Sequence, residues 1–451
     1  MASNRTFQAP KGTRDFYPPR MAIRRHIESA WHGASVDSGF EEIEGPMFES
    51  LELYTVKSGP EIVSQLFSFR RDGGDDDYAM RPEFTPTLAR MAAAKGKSLS
   101  IPTKWYAIPA HFRAERPQRG RLREHNQWNV DLIGTTGASA DIEVISTALL
   151  GLERLGLTPD DVKVRLSHRT SVANILGALG VGEEQLGPAF QLLDRRDKMD
   201  DAEFRSRAAE LGLDQDGVSR FDAAARSTAS MSAPLSDLAD GLGVPIAALE
   251  DLSMLREGID AAGLADWCVF DIGIVRGLAY YTGMVFEIFE TSGVERAVAG
   301  GGRYDRLIEL FGGPSLPACG FGMGDVVLEL VLAEKGLLGD DDGEAFMPRP
   351  DVFAVSTCEE ADPFVEGLLV SLRRSGLHAR RSYKSTRNVG KLLSDAGKCG
   401  SRTALILDQG AAEGVVSLKD LEGGDQVTLP VDELADTIHQ LVRKRDQACD
   451  S

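Results

Sequence analysis

The stretch Arg276-Gly-Leu-Ala-Tyr-Tyr-Thr-Gly283, followed by Met-Val-Phe-Glu287, is the most informative part of the chain. It places a cation and two neighbouring aromatic residues in a turn before an apolar strand. A fixed guanidinium beside two phenol rings suits a small planar or cationic molecule that meets a phosphate. The second segment, Gly300-Gly-Gly-Arg-Tyr-Asp305, allows a ligand to approach the backbone closely. If both segments line one pocket, they predict an enzyme that handles a small molecule and a nucleotide.

The composition is that of an ordinary globular protein with more than one domain. The 451 residues include 42% hydrophobic and 26% charged residues, and two to four domains are expected. We find no apolar run long enough to span a membrane and no signal-peptide core in the first eight residues. The sequence therefore predicts a cytoplasmic protein.

The charge and the cysteines exclude some classes of function. The five cysteines are scattered and odd in number, which argues against a disulfide framework or a structural zinc site. A net charge of −19 argues against nucleic-acid binding by the whole surface. A local basic face is still allowed, because screening limits exposed charges to a range of roughly 8–10 Å.

Composition and periodicity divide the chain into five segments. A helix over Pro18–Ser38 and strands over Gly39–Pro46 and Gln127–Ile133 are predicted in the first of them. The segments are a strand-and-helix region over 1–166, a helical insertion over 167–263, a second strand-rich region over 264–335, a linker over 336–350 and a small α/β domain over 351–451.

A cationic hairpin is predicted around Phe112–Glu124. It holds five arginines about a Pro and Gly turn, and Arg offers a fork of donors that matches phosphate oxygens. The alternative is a solvated surface hairpin, which is common for runs of charge. Similarly, Glu83 and Thr85 in Arg81-Pro-Glu-Phe-Thr85 suit an ammonium group, although a helix cap or a turn explains them equally well.

The order of these segments resembles the class II aminoacyl-tRNA synthetases, and specifically the histidyl-tRNA synthetase family. Lys11–Pro18 resembles that family's N-terminal signature, and Gly39–Pro46 its first class motif. The substrate loop and the second class motif are matched by Arg81–Glu83 and Phe112–Gly120. Arg276–Tyr281 resembles the histidine motif. Gly300–Asp305 and Gly320–Gly324 resemble the third motif region.

The resemblance implies an α+β fold and a two-step reaction. An antiparallel sheet flanked by helices would carry the helical insertion and a C-terminal α/β anticodon-binding domain. Such an enzyme activates histidine with ATP to histidyl-adenylate, and then transfers histidine to the 3′ end of its tRNA. It also implies Mg²⁺ with the ATP, a homodimer whose interface includes the first motif, and electrostatic catalysis by fixed cations.

The same matching assigns roles to individual residues. Catalysis at the α-phosphate falls to Arg113 and Arg276. Histidine binding falls to Glu83, Thr85, Gln127, Asp131, Tyr281 and Tyr304. ATP binding falls to Arg113, Arg121, Gly301 and Gly302, and tRNA binding to Gln118, Arg119, Arg387 and Lys391. The metal ligands stay unassigned.

Several positions depart from the common family pattern. Asp131 stands where Glu is usual, Phe84 replaces a small residue, and Ala279 replaces an acid. The third motif usually ends in an arginine near the γ-phosphate, but Gly324–Glu329 contains none. A subgroup that resembles plant organellar enzymes shares the sequence Arg-Gly-Leu-Ala-Tyr-Tyr and this altered third motif.

Two other functions remain open at this stage. The regulatory subunit of ATP phosphoribosyltransferase resembles the synthetase core but charges no tRNA. It typically lacks the C-terminal domain and the motif arginines, which are present here at Arg113 and Arg276. An RNA-binding module without catalysis is the second alternative, but it leaves the arranged pocket unexplained. The basic stretch over 373–391 is either an RNA face or a solvated helix surface.

Overall fold

A computed structural model describes residues 7–58, 60–196, 199–275, 280–339 and 343–449. The chain forms two compact units, Met1–Ala345 and Phe346–Ser451, so their boundary falls inside the segment 336–350. Throughout the described residues, each helix is too short or too polar to cross a bilayer.

The first unit combines helices with two sheets. Its helices are α1 (Pro18–Asp37), α2 (Leu51–Ser58), α3 (Thr85–Lys95), α4 (Ala138–Glu153), α5 (Arg169–Ala178), α6 (Leu186–Asp194), α7 (Asp201–Ala209), α8 (Gln215–Ala225), α9 (Leu235–Leu242), α10 (Glu250–Ala261), α11 (Leu307–Leu310) and α12 (Asp325–Glu334). Its strands are β1 (Glu41–Glu42), β2 (Phe48–Ser50), β3 (Ser68–Arg70), β4 (Asp77–Met80), β5 (Thr103–Ala107), β6 (Ala110–Phe112), β7 (Glu124–Ile133), β8 (Val162–His168), β9 (Thr228–Ser230), β10 (Cys268–Asp271), β11 (Met284–Glu290), β12 (Ala299–Arg303) and β13 (Ala318–Gly324).

The large sheet is mostly antiparallel. Its order is β1-β5-β7-β13-β12-β11-β8-β10-β9, and β6 pairs with the beginning of β7. Only the pairs β1·β5 and β8·β10 among its described strands are parallel. The predicted α+β class with helices flanking an antiparallel sheet is therefore confirmed, with a parallel pair toward each end.

Side chains of β7 alternate between the two faces of the sheet, one packed against helices and the other lining a cavity. Trp128 is fully buried, stacks on Trp31 of α1 at 6.0 Å and donates its indole N–H to Ser35 at 2.8 Å. A side chain at Gly151 of α4 would lie 2.6 Å from Trp128, so glycine lets α4 approach the ring closely. Because neighbouring side chains on a strand point to opposite faces, Gln127, Asn129 and Asp131 lie on the other face.

Three local predictions from the sequence have different outcomes. The helix over Pro18–Ser38 is confirmed as α1, and the strand over Gln127–Ile133 lies within β7. The strand over Gly39–Pro46 is wrong except at Glu41–Glu42. The carbonyl groups of Gly45 and Pro46 accept hydrogen bonds from the buried guanidinium of Arg81 instead of from a neighbouring strand.

The segment 167–263 is mainly helical, and it is also joined to the sheet. Its helices are α5 to α10, and β8 continues to His168 before α5 begins. The short strand β9 pairs with β10, where Ala229 lies opposite Phe270. The large sheet therefore continues into this segment.

The second unit is a small α/β domain. It contains β14 (Val352–Ser356), α13 (Asp362–Arg374), β15 (Ala379–Arg381), α14 (Val389–Lys398), β16 (Thr403–Leu407), β17 (Val415–Asp420), β18 (Gln426–Pro430) and α15 (Val431–Cys449). The strand order is β15-β14-β16-β17-β18, parallel across the first three strands and antiparallel across the last three. This mixed sheet agrees with the alternation read from the sequence.

Candidate active site

A cavity of about 790 Å³ opens on the polar face of β7. It brings together side chains that are separated by more than 200 positions in the chain. Eight residues predicted for the site line it: Glu83, Thr85, Arg113, Arg121, Gln127, Asp131, Tyr281 and Tyr304. The predicted catalytic residue Arg276 and the unusual Ala279 lie outside the described residues.

Two glycines of β13, the strand beside β7, form the floor of this cavity. Gly320 lies opposite Asp131, and a side chain there would come within 2.3 Å of the carboxylate. A side chain at Gly322 would lie 1.9 Å from Nε2 of Gln127. Both glycines are therefore needed for the space that the polar side chains of β7 occupy.

Asp131 is a buried carboxyl group with one strong partner. The hydroxyl of Tyr304 donates a hydrogen bond to Oδ1 of Asp131. Burial raises the pKa of Asp131 to about 7, and the hydrogen bond from Tyr304 opposes that rise. Burial also raises the pKa of Tyr304 well above its usual value, so its hydroxyl stays a donor. The pair can accept or share a proton with a ligand at neutral pH.

The side chain of Gln127 offers a hydrogen-bond acceptor at the floor of the same cavity. Its Oε1 is buried, and within the described residues nothing donates a hydrogen bond to it. A buried polar atom without a partner costs about 1–3 kcal/mol, so this position favours a ligand that carries an N–H donor. Thr85 begins α3 on the adjacent wall, two residues after Glu83.

Arg113 and Arg121 place positive charge on one side of the cavity. Nε of Arg113 donates to the carbonyl of Pro82 at 3.2 Å. Burial lowers the pKa of Arg113, while the carboxylates of Glu83 and Glu115 act in the opposite direction. Arg121 forms an ion pair with Glu115 at 2.9 Å. A guanidinium stays protonated even when partly buried, so Arg113 presents a fixed cation.

Several lining residues were missed by the sequence analysis. The ring of Tyr280 lies 4.6 Å from that of Tyr281 and meets Tyr304 edge-on at 6.0 Å. The doublet Tyr280-Tyr281 was a signal that both rings face the site. Asp194, Arg195, Met199 and Glu203 of the helical segment also line the cavity, and nothing in their spacing indicated it.

A second cavity of about 630 Å³ shares Arg113, Arg121, Gln127, Gly300 and Gly322 with the first. Its own lining includes His125, Glu287, Phe289, Arg296, Val326 and Val327. Burial lowers the pKa of His125 to about 3, assisted by the charge of Arg113. The imidazole is therefore neutral and offers a flat surface at physiological pH.

Gly301 and Gly302, which are predicted to contact ATP, lie on β12 between β11 and β13. Gly300 lines both cavities, whereas neither of the next two glycines lines either of them. A side chain at Gly301 would meet Phe286 at 2.7 Å, and one at Gly302 would meet Tyr281 at 2.8 Å. These two glycines allow close packing of aromatic rings, and their contact with ATP stays a prediction.

The residues predicted to bind tRNA lie in both units, three of them on loops and one in a helix. Gln118 accepts from Arg296 at 2.6 Å, and Arg119 pairs with the buried Glu295. In the second unit, Arg387 forms an ion pair with Asp362 at 2.7 Å, and that pair lowers the pKa of Asp362. Lys391 is exposed in the first turn of α14.

Comparisons with known proteins agree with this architecture. A family model for histidyl-tRNA synthetase matches residues 12–325, and one for an anticodon-binding domain matches residues 351–441. The chain is 40% identical to a histidine–tRNA ligase of Opitutus terrae over 94% of its own length and 96% of that protein. It is 42% identical to a chloroplastic/mitochondrial histidine–tRNA ligase of Arabidopsis thaliana over 73% of its own length and 66% of that protein.

Solved structures support the same fold. A histidyl-tRNA synthetase from a Nostoc species matches with a TM-score of 0.77 at 23% identity, over 97% of this chain and 100% of that one. The mostly antiparallel sheet and its flanking helices form the fold of a class II aminoacyl-tRNA synthetase. Since its family model covers most of the first unit, the chain belongs to the histidyl-tRNA synthetase family.

Proposed function

We propose that the protein is a histidine–tRNA ligase that uses ATP to attach histidine to the 3′ end of its tRNA. The observation that carries this proposal is the convergence of Glu83, Thr85, Arg113, Gln127, Asp131, Tyr281 and Tyr304 on one cavity. These side chains come from five separate stretches of the chain, and each has a role that membership of the family predicts.

The first step joins histidine to AMP. A carboxylate oxygen of histidine attacks the α-phosphorus of ATP, and pyrophosphate leaves with the electron pair of the broken P–O bond. Arg113 lies between the two cavities, where its charge stabilises the negative charge that gathers on the α-phosphate. In the second step a ribose hydroxyl of the terminal adenosine attacks the histidyl carbonyl and AMP leaves.

The first cavity is built to hold histidine. Asp131 accepts an imidazole N–H, and Tyr304 fixes the orientation of the carboxylate. The unpartnered Oε1 of Gln127 accepts from the α-ammonium group, together with Glu83 and Thr85. A site that hydrogen-bonds its substrate rejects analogues without those groups by roughly 10⁴–10⁵.

The second cavity holds the remainder of ATP. The neutral ring of His125 offers a stacking surface for adenine, and Arg121 and Gly300 lie near the phosphates. Mg²⁺ would enter with the phosphates, and Glu287 is a carboxylate on the cavity wall that suits such a hard cation. In the described residues no group of three His, Cys, Asp or Glu side chains is arranged to hold a metal ion.

Binding of tRNA is proposed to use both units. Gln118 and Arg119 belong to the second-motif loop beside the cavity, where the acceptor end would arrive. Arg387 and Lys391 would contact the anticodon region, in the domain whose family model is named for anticodon binding. Arginine and lysine serve here mainly through phosphate oxygens.

A homodimer is proposed because one face of the small sheet β2-β4-β3 carries exposed aromatic residues. Phe48 and Phe69 are 48% and 44% exposed, and their rings lie 5.7 Å apart. Exposed apolar patches of this kind favour association with another protein surface. We expect sedimentation equilibrium to give a dimer for the wild type and a monomer for Phe69→Asp. A wild-type monomer would refute the proposal.

The regulatory-subunit alternative is not favoured. The relatives that cover nearly the whole chain are ligases by name, and the anticodon-binding domain is present. The direct test is aminoacylation with labelled histidine and total tRNA. We expect histidine to be attached to tRNA in an ATP-dependent reaction, and no attachment would contradict the proposed function.

A further inference from the structure

Two loops beside the second cavity are joined by a reciprocal pair of contacts, which we call the loop clasp. The loop clasp consists of Gln118 and Arg119 on the second-motif loop and of Glu295 and Arg296 between β11 and β12. Nε of Arg119 donates to Glu295 at 2.8 Å, and a terminal nitrogen of Arg296 donates to Oε1 of Gln118 at 2.6 Å. Adjacent residues on each loop therefore supply one donor and one acceptor.

The two contacts of the loop clasp differ in chemistry. The side chain of Glu295 is only 3% exposed, so it needs the charge of Arg119 to offset its burial. Arg296 is exposed and is held by a neutral amide oxygen. Over the described ranges of the chain, no carboxylate forms an ion pair with Arg296. Its guanidinium therefore still has a full positive charge to offer to an anion.

The position of Arg296 in the second cavity suits contact with a nucleotide. A side chain at Gly120 would lie 3.7 Å from Cδ of Arg296 and 3.2 Å from Val327, so the aliphatic stem passes over this glycine. Arg113 and Arg121 line both cavities, whereas Arg296 lines the second cavity alone. It is therefore farther from the histidine pocket than the cation assigned to the α-phosphate.

The wall of the second cavity that is formed by the described residues at the beginning of α12 carries no cation of its own. At the beginning of α12 it presents the apolar side chains of Val326 and Val327. Asp325 beside them is occupied by Arg14 at 2.5 Å and by the backbone N–H of Asn126 at 3.0 Å. Nothing cationic comes from the described first turn of this helix, so Arg296 on the opposite loop is the cation suited to the outer phosphates.

We propose that Arg296 binds the terminal phosphates of ATP, exchanging its bond to Gln118 for bonds to phosphate oxygens. The exchange is favourable because phosphate oxygens carry negative charge and accept two parallel bonds from one guanidinium, whereas the amide oxygen of Gln118 is neutral and accepts one. Arg119 and Glu295 keep the two loops together during the exchange. This inference rests on the proposed function and adds a positioning residue for its nucleotide.

Titration calorimetry with ATP and with AMP tests the proposal on the full-length protein. Arg296→Gln should weaken ATP binding about tenfold or more, while AMP affinity stays within about twofold, because AMP lacks the terminal phosphates. Arg296→Lys should recover part of the loss by restoring the charge. Arg25→Gln is the matched control, since Arg25 is an exposed residue of α1 paired with Glu28.

The possible results distinguish failure of the proposed role of Arg296 from failure of the proposed ligase function. Equal weakening of ATP and AMP would overturn the proposal, because the loop clasp would then only shape the cavity. Unchanged ATP affinity in Arg296→Gln would also overturn it, even if the wild type exchanges pyrophosphate with histidine. A wild type that neither binds ATP nor exchanges pyrophosphate would overturn the proposed function as well.

Discussion

Tyr304 donates a hydrogen bond to the carboxylate of Asp131, and the two residues are only 3% and 5% exposed. Burial disfavours the charged carboxylate and raises the pKa of Asp131 to about 7. The donor from Tyr304 favours the charged form and limits that rise. The protonation state of one carboxyl group therefore changes near the pH at which the protein would work.

The first prediction concerns the pH dependence of histidine binding. Asp131 is protonated below about pH 7 in the empty pocket, and it must lose that proton to accept an imidazole N–H. We expect the affinity for histidine to rise with pH and to level off above about pH 7, falling up to about tenfold per unit below it. Calorimetric titration between pH 6 and 8.5 measures this.

Asp131→Asn is the control for that profile, because free histidine itself titrates near pH 6.5. The variant should bind histidine weakly and with a flatter dependence on pH. Identical profiles for the two proteins would show that Asp131 does not govern the dependence.

The second prediction removes the partner of Asp131. Tyr304→Phe keeps the ring but deletes the hydroxyl, so the pKa of Asp131 should rise further. A hydrogen bond to a charged group contributes about 1.5–3 kcal/mol, which corresponds to a shift of roughly 1–2 pKa units. The midpoint of the histidine-binding profile should move to higher pH. A midpoint that stays in place or moves lower would refute this coupling.

The third prediction tests the glycine floor. Gly322→Ala would place a methyl group 1.9 Å from Nε2 of Gln127, which must then leave its position. We expect histidine-dependent ATP–pyrophosphate exchange to fall at least about tenfold, as expected when a positioned substrate group moves by about 1 Å. Gly177→Ala in α5 has open space around it and serves as the matched control. Equal activity of the two variants would contradict the assigned role of the floor.

The fourth prediction concerns the cation between the cavities. Arg113→Gln removes the charge but leaves a side chain that can still donate to Pro82. We expect the rate of histidine activation to fall about 10²–10³-fold, which is the usual loss on removing one stabilising donor. Rapid-quench measurement of adenylate formation checks this, with thermal unfolding as the control for the fold. A near-normal rate would place Arg113 outside the reaction.

The sequence predicted those features that are local or carried by ordered motifs. In α1 the buried residues recur at helical spacing, and in β7 apolar and polar side chains alternate. Both patterns extend over many residues, so the sequence shows them directly. Eight site residues were placed together because the resemblance fixed their order along the chain. The mixed sheet of the second unit followed from alternating strands and helices.

The features that escaped the sequence depend on long-range packing. The strand over Gly39–Pro46 is cut short because Arg81, far along the chain, binds its last carbonyl groups. The place of Gly300 on the wall of both cavities depends on which face of β12 meets them. The approach of Asp194 and Arg195 to the site depends on how the helical segment folds back, and no spacing in the sequence encodes that approach.

The most direct test of the central claim is ATP–pyrophosphate exchange by the purified protein, measured separately with each of the twenty amino acids. The proposed pocket predicts exchange with histidine that exceeds exchange with any other amino acid by roughly 10⁴-fold or more. Exchange with a different amino acid, or none with histidine, would contradict the claim that this cavity activates histidine.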